Sequence, residues 1–520
     1  GLDTDTQYTY TVQMRDAATT PNVGTASAPA NATTYGGAYA AELAAVLALG
    51  DLTAAPAMWV SDTLSSPAAT ISPGDIGKII YFDALDYNGS ATRVFAYVGV
   101  PAGASSGNPV PCVIMIHGGG GTASVGQVTK WTDRGYAAIS LAVEGKSSAM
   151  PGPARSGIYN DYRDTLENQW MYHAVADAVL ANSLMGSLPQ VDANKVGVMG
   201  WSWGGVICST VMGIDTRLAF SIPVNGCGHL YDSRNHWGNG LYDDNVYKQV
   251  WDPMIRMHRA TMPAMWYSYE ADFHFPLDCQ AETYHASPGE RMVTVVPGIG
   301  HASYEMDDCY AFTESIFNEV SLWCLQESLT LNGNTADVVF KSTKTLTESK
   351  LVYTTDTGFA GDGMTWVITP AALADNGDGT WTATAVLPAG TTGWFVNVMS
   401  GTLVVSSDYQ ENITLTPVPS DFLALEHPMT NDVSTGSFTV EFSGPTDVLV
   451  SNIYFIEETH AGALSVLSGF PFELGHPEPV PMLMTEVIEI QFDNTVAGLL
   501  QGDSASAKVI VAWDKLDGST

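Results

Sequence analysis

A serine walled by glycines, a carboxylate at a strand end and a histidine in a later loop carry the chemistry legible in this sequence. The serine is Ser202, in Gly200-Trp201-Ser202-Trp203-Gly204, followed directly by Gly205. This G-x-S-x-G pentapeptide comes right after the short apolar run KVGVMG and right before GGVICSTVMG, so a strand is predicted to turn into a helix at the serine. A turn that tight puts the serine in strained backbone and lifts its hydroxyl above the sheet. Cβ atoms two residues away on either side would collide, which accounts for both glycines. The hydroxyl then sits at a helix N-terminus, where amide N–H groups favour negative charge. By itself the pentapeptide also fits a glycine-rich packing turn; its strand-to-helix context selects the nucleophile.

A serine hydroxyl needs a base, and the base needs a carboxylate to hold its tautomer. For this kind of turn the chain order is serine, acid, histidine. His301, in GIGHAS after the strand RMVTVVP, is the expected base; His229, His236, His258, His274 and His285 read as solvated or packed. Asp272, where PAMWYSYEAD gives way to a loop, is the expected acid, with Glu270 second and Asp278 read as a helix N-cap. The oxyanion of a tetrahedral intermediate needs two N–H donors with no side chains in the way. Trp203 N–H is one. The other is expected from His117-Gly118-Gly119-Gly120-Gly121, at Gly119 or Gly120, with His117 itself structural. Trp203 is expected to line the pocket and Trp201 to pack into the fold beside it, and both are candidate substrate contacts.

The elements that must position these groups alternate between about residues 35 and 326. KIIYFDALDY and TRVFAYVGVP read as an antiparallel start. PCVIMIHGGGG and YAAISLAVEG are continuous apolar runs, the mark of strands buried on both faces. A helix is predicted over 165–185, and LAFSIPVNG, PAMWYSYEAD and RMVTVVPGIGH are three further strands. The prediction is an α/β fold with a mostly parallel sheet and helices on both faces. After Cys324 the style changes to short strands with turns between them, read as two all-β, sandwich-like domains. The opening residues resemble the end of a fibronectin type III module. The division expected is 1–36 for that module and a linker, 37–327 for the catalytic domain, 328–416 for a β-sandwich and 417–520 for a second all-β domain.

Composition narrows the partners. There are 55 acidic and 20 basic residues, a formal net charge of −35, which repels nucleic acid and anionic lipid and suits a saline medium. No run of about 18 apolar residues could span a membrane. Six cysteines lack CxxC spacing, so no metal site is expected. Cys112 and Cys208 read as buried thiols, while Cys227, Cys279, Cys309 and Cys324 could form one or two disulfides. DNGDGTW at 375–381 lacks the closing acidic residue of a calcium loop and is read as a hairpin turn. The methionines of WDPMIRMHRATMP are read as core, and RNHWGNGLYDDNVY as a loop over the cleft. Trp366, Trp381, Trp394 and Tyr454 could stack on sugars, although strand alternation places most of them in the core. The start at Gly1, in what reads as mid-module, suggests a processed piece of a longer chain, and an extracellular or cell-surface location, in a bacterial and marine setting, is inferred.

HGGGG, GWSWGG, ADFHFPLD and GIGH together resemble the α/β-hydrolase superfamily, in its prolyl-oligopeptidase-like and acetyl-xylan-esterase-like branch. The resemblance covers about residues 50–325. It implies ester or amide hydrolysis through an acyl-enzyme, with no cofactor. No β-propeller is expected ahead of the catalytic region, in contrast to true prolyl oligopeptidases. The expected function is a secreted serine esterase acting on carboxylic esters, with acetyl or related esters on polysaccharide as the first substrate choice. The alternatives are a prolyl-oligopeptidase-like peptidase and a non-catalytic glycan-binding or adhesion protein.

Overall fold

The computed structural model describes residues 39–411, apart from 234, 243, 320 and 357–362. Beyond them it gives only the backbone of strands, a pair at Gln7–Tyr10 and Ala30–Thr33 and others between 414 and 515. The remainder of the fibronectin-like stretch 1–36 and of the domain expected at 417–520, Tyr454 included, lies outside the described residues.

The centre is a large mixed sheet. Its first eight labelled strands are β1 (Lys78–Asp83), β2 (Arg93–Gly99), β3 (Val110–Ile116), β4 (Ala137–Leu141), β5 (Val191–Trp201), β6 (Ser221–Val224), β7 (Ala264–Ser268) and β8 (Arg291–Val295). They lie in the order β1-β2-β4-β3-β5-β6-β7-β8. β1, β2 and β4 pair antiparallel, and every pair from β4 to β8 is parallel. This is an α/β-hydrolase-type sheet. The apolar runs follow from burial on both faces: along β3, Cys112, Ile114 and Ile116 enter one core while Val113 and Met115 enter the other. On the second face lies α1 (Val125–Thr132), through Val128 and Trp131, and on the first lies α2 (Trp170–Gly186), buried almost all round. It starts later than predicted, because two 3₁₀ turns occupy 160–168.

The β-rich part joins the free edge of β8. It holds β9 (Cys324–Asn332), β10 (Thr335–Ser342), β11 (Glu348–Thr354), β12 (Trp366–Asp375), β13 (Thr380–Val386), β14 (Gly393–Ser400) and β15 (Leu403–Ser406). β15 pairs with β8 at Ser406 and Val293, and β14, β11 and β12 follow in that sheet. β12 also pairs with β13, which leads on to β10 and β9. Asp375–Trp381 closes as a hairpin between β12 and β13. Trp323, Phe340, Val396 and Met292 share one core, so this part is packed onto the α/β part. Trp394 is buried in that core, while Trp366 and Trp381 are half-buried.

All six cysteines are buried free thiols, so the one or two disulfides that Cys227, Cys279, Cys309 and Cys324 could have formed are not present. Each sits in a packed core, where a cysteine behaves as a small apolar group. Asp278 lies in the first turn of α5 (Leu277–Ala286) and does not cap it; Pro276 holds the cap position. Met257 and Met262 are core residues.

Asp308 ties the two parts together. Its carboxylate accepts the Val404 N–H at 2.9 Å and the Tyr267 hydroxyl at 3.1 Å. Burial pushes this carboxyl up from the ordinary 3.8 to about 6. Between those values the folded chain holds a proton that the unfolded chain has released, so this group's contribution to stability declines as pH rises through about 6. The expected outcome is that the melting temperature of the native chain, relative to Asp308→Asn, falls between pH 4 and pH 7. A difference independent of pH would contradict it.

Candidate active site

Ser202 directly follows β5 and caps α3 (Trp203–Met212), with φ 57° and ψ −128°. Left-handed backbone of this kind in a residue with a Cβ costs about 1–3 kcal/mol and persists only where surroundings over-determine it. Here the Ser202 N–H donates to Val224 O at 2.9 Å, and its carbonyl accepts from Val206 N. A Cβ on Gly200 would lie 2.1 Å from Gly204 O, and one on Gly204 would lie 2.2 Å from Ile116 O at the end of β3. Glycine at these positions therefore lets the turn close and lets it touch the neighbouring strand.

The three residues chosen from chain order come together. Ser202 Oγ lies 3.0 Å from His301 Nε2, and His301 Nδ1 lies 3.1 Å from both carboxylate oxygens of Asp272. The Asp272 side chain is fully buried. It accepts from Asn225 Nδ2 at 2.6 Å and from the amides of His274 at 2.9 Å and Phe275 at 3.2 Å. Asn225, directly after β6 with φ 46°, also accepts the Ala302 N–H at 3.0 Å. One amide side chain thus fixes both the acid and the histidine loop. Glu270, the second choice for the acid, accepts the Gly298 N–H at 3.0 Å and so anchors the other side of that loop. Phe275 stacks on His301, the ring planes 6° apart.

The glycine loop after β3 lies against the serine. A Cβ on Gly118 would be 3.0 Å from Ser202 Cβ, and one on Gly119 would meet Trp203 Cδ1 and Arg155 Nη2 at 2.8 Å. The Gly120 N–H is already donated to Glu144 Oε1 at 2.9 Å, which removes it from the pair expected to hold an oxyanion. Gly119, the other expected donor, borders Trp203. Trp203 opens α3, and the first amides of a helix lack partners within it. His117 is structural: Nε2 accepts the Val143 N–H at 3.1 Å, so Nδ1 carries the proton and donates to Gly118 O at 2.7 Å. Burial pushes its pKa down, in keeping with a neutral ring.

The expected pocket role of the Trp203 side chain needs correction. Its indole is 2% exposed, packed edge-on against Trp170 and Trp237, with the Arg155 guanidinium over it at 5.6 Å. A ring so enclosed offers little surface to a substrate. Trp201 is half-buried, near Tyr304. The segment expected as a loop over the cleft forms the short helix α4 (His236–Leu241), which presents His236 and Trp237 to His274. Asn225, Glu144 and Arg155 carry no sequence motif of their own; position at a strand's C-terminal end was the available signal for Asn225 and Glu144. Among the described residues no group of three or more His, Cys, Asp or Glu side chains is placed to hold a metal, and no helix is long and apolar enough to cross a membrane.

Residues 77–226, from β1 to the turn after β6, match the sequence model of the acetyl xylan esterase family, AXE1. The chain resembles acetyl xylan esterases. The match takes in the glycine loop and Ser202 and stops before Asp272 and His301. Among curated proteins, a probable dipeptidyl-peptidase 5 of Aspergillus terreus is 27% identical over 248 residues, covering 43% of this chain and 33% of that protein. One from Aspergillus flavus is 21% identical over 211 residues, covering 38% and 28%. The chain spans about a third of the length of these relatives. Among solved structures, an acetyl xylan esterase from Paenibacillus sp. R4 aligns with a TM-score of 0.42 and 17% identity, over 53% of this chain and 93% of that one. A puromycin-hydrolyzing peptidase from Mycobacterium tuberculosis aligns with a TM-score of 0.37 and 16% identity, over 50% and 43%.

The turn itself can be tested without any assay of activity. Gly200→Ala drives a methyl group onto a backbone carbonyl that cannot move away, since Gly204 is itself wedged against β3. The expected result is a destabilisation of at least about 2 kcal/mol in urea denaturation, at the upper end for a single substitution. Native stability in this variant would show that the turn is looser than described.

Proposed function

We propose that the chain is a serine hydrolase that cleaves carboxylic esters through an acyl-enzyme at Ser202. The observation that carries this reading is the continuous hydrogen-bonded line from Ser202 Oγ through His301 to the buried Asp272. His301 Nε2 takes the hydroxyl proton as Oγ attacks the carbonyl carbon. The Asp272 carboxylate holds the Nδ1 proton and stabilises the imidazolium that forms. The developing oxyanion is received by the Trp203 N–H and the Gly119 N–H, Gly120 being engaged elsewhere. His301 then protonates the leaving alcohol. Water, deprotonated by the same nitrogen, releases the acid and restores Ser202.

Ester rather than amide is favoured by the acetyl xylan esterase match over the segment that holds the nucleophile. Acetyl or related esters on a polysaccharide, outside the cell, are the substrates proposed. The second reading, a peptidase of the prolyl-oligopeptidase type, is favoured by the dipeptidyl-peptidase relatives. Residues 37–327 are proposed as the catalytic domain, with a β-sandwich at 328–416 and a second all-β domain at 417–520.

Two measurements test this. Turnover of p-nitrophenyl acetate is expected to exceed that of a prolyl anilide, and Ser202→Ala is expected to lower it by on the order of a millionfold; fast anilide cleavage with slow ester cleavage would favour the peptidase. Asn225→Ala releases both the acid and the histidine loop. It is expected to lower kcat by about 10²-fold with little change in KM, the scale of a small misplacement of reacting groups. Unchanged kcat would remove Asn225 from the account.

A further inference from the structure

Beside the serine, acid and histidine lies a second pair of imidazoles that the proposed reaction does not use. His274 Nδ1 and His236 Nε2 face each other at 3.2 Å, and one proton lies between them. The other ring nitrogen of His236, Nδ1, is buried with no hydrogen-bond partner. The backbones that carry the two rings are clamped together by Asn235. Its Nδ2 donates to Phe273 O at 2.8 Å and to His274 O at 3.1 Å, while its Oδ1 accepts the Trp237 N–H at 2.8 Å. Phe273 stacks on His236 with the planes 9° apart. Both histidines are half-buried rather than fully enclosed.

We propose that His236 and His274 form a two-imidazole chelating site for one divalent transition-metal ion, such as Zn²⁺ or Cu²⁺, and that filling it suppresses reaction at the adjacent His301. Metal–imidazole bonds are about 2.0–2.1 Å, so two such nitrogens on one tetrahedral ion stand about 3.3 Å apart. The observed separation already meets this. Each lone pair has to swing about 35° off the line between the nitrogens, a modest ring rotation, to meet at the ion. The ion takes the place of the shared proton, which shifts to the other nitrogen of the ring that carried it, so both rings stay neutral, as a metal requires. Water fills the remaining positions. The net charge of −35 raises the local cation concentration. The His274 ring lies 4.6 Å from that of His301. A dication there opposes the positive charge His301 must take on when it accepts the serine proton. The suppression rests on the proposed role of His301; the binding does not.

The test uses the whole chain stripped with EDTA and titrated with Cu²⁺ by calorimetry and electron paramagnetic resonance, and with Zn²⁺ during ester turnover. The expected result is one Cu²⁺ bound with two nitrogen couplings, and inhibition by Zn²⁺ that EDTA reverses. His236→Phe keeps the stack on Phe273 and is expected to weaken binding at least about tenfold and to lift the inhibition. His236→Gln serves the same purpose if the first variant does not fold. His229→Gln, at the separate ion pair with Glu282, is expected to change neither. Binding unaltered in both His236 variants would overturn the site. Binding lost in them, with a wild-type enzyme indifferent to Zn²⁺, would overturn the coupling to His301. A chain with no ester turnover in EDTA would refute the proposed function and leave the binding result to decide the site.

Discussion

A buried carboxylate is the constraint around which this site is built. Asp272 has no exposed surface, and a charge so placed is tolerated only where donors surround it. It is met by the Asn225 side chain, by two amides of its own loop and by His301 Nδ1. These donors come from the loops that follow three different strands, at their C-terminal ends. Satisfying Asp272 therefore fixes the loop after β7, the turn after β6 and the loop after β8 relative to one another. The imidazole is left with one tautomer and one direction, with Nε2 pointing at the strained serine.

The sheet makes this convergence possible. Parallel strands deliver their C-terminal ends to one edge, and the central pair β3 and β5 brings the glycine loop and Ser202 side by side. Close approach there depends on absent side chains at Gly200, Gly204 and Gly118. The β-rich part enters by extending the same sheet past β8. Asn397 Nδ2 donates to Val295 O at 3.0 Å, and Ser406 Oγ accepts the Val295 N–H at 2.8 Å. The strand that leads into the His301 loop is thus held between the two parts, so the added β structure stiffens the approach to the base.

Much of this was legible in the sequence, because the signals were local. Buried parallel strands read as unbroken apolar runs, and each of the eight strands of the α/β sheet overlaps a stretch read as a strand, although β5 begins four residues ahead of KVGVMG. Ser202, Asp272 and His301 followed from a turn motif and from chain order, and the fold brings them into hydrogen-bonding distance. What escaped was what depends on partners distant in sequence. Gly120 looked as able to donate as Gly119 until Glu144, from the end of β4, took its amide. Trp203 looked like a pocket wall because nothing in the sequence showed Trp170 and Trp237 closing over it. The cysteines suggested cross-links because spacing cannot reveal that each is packed as a free thiol in one of the two cores. Asn225 has no motif, and only the tertiary fold sets it between the acid and the histidine loop.

The most direct test of the central claim is covalent. A fluorophosphonate probe reacts only with an activated serine, and the modified peptide can be found by mass spectrometry. The account predicts stoichiometric labelling at Ser202, with labelling strongly slowed in His301→Ala. Labelling absent from Ser202, or equally fast without the imidazole, would contradict it.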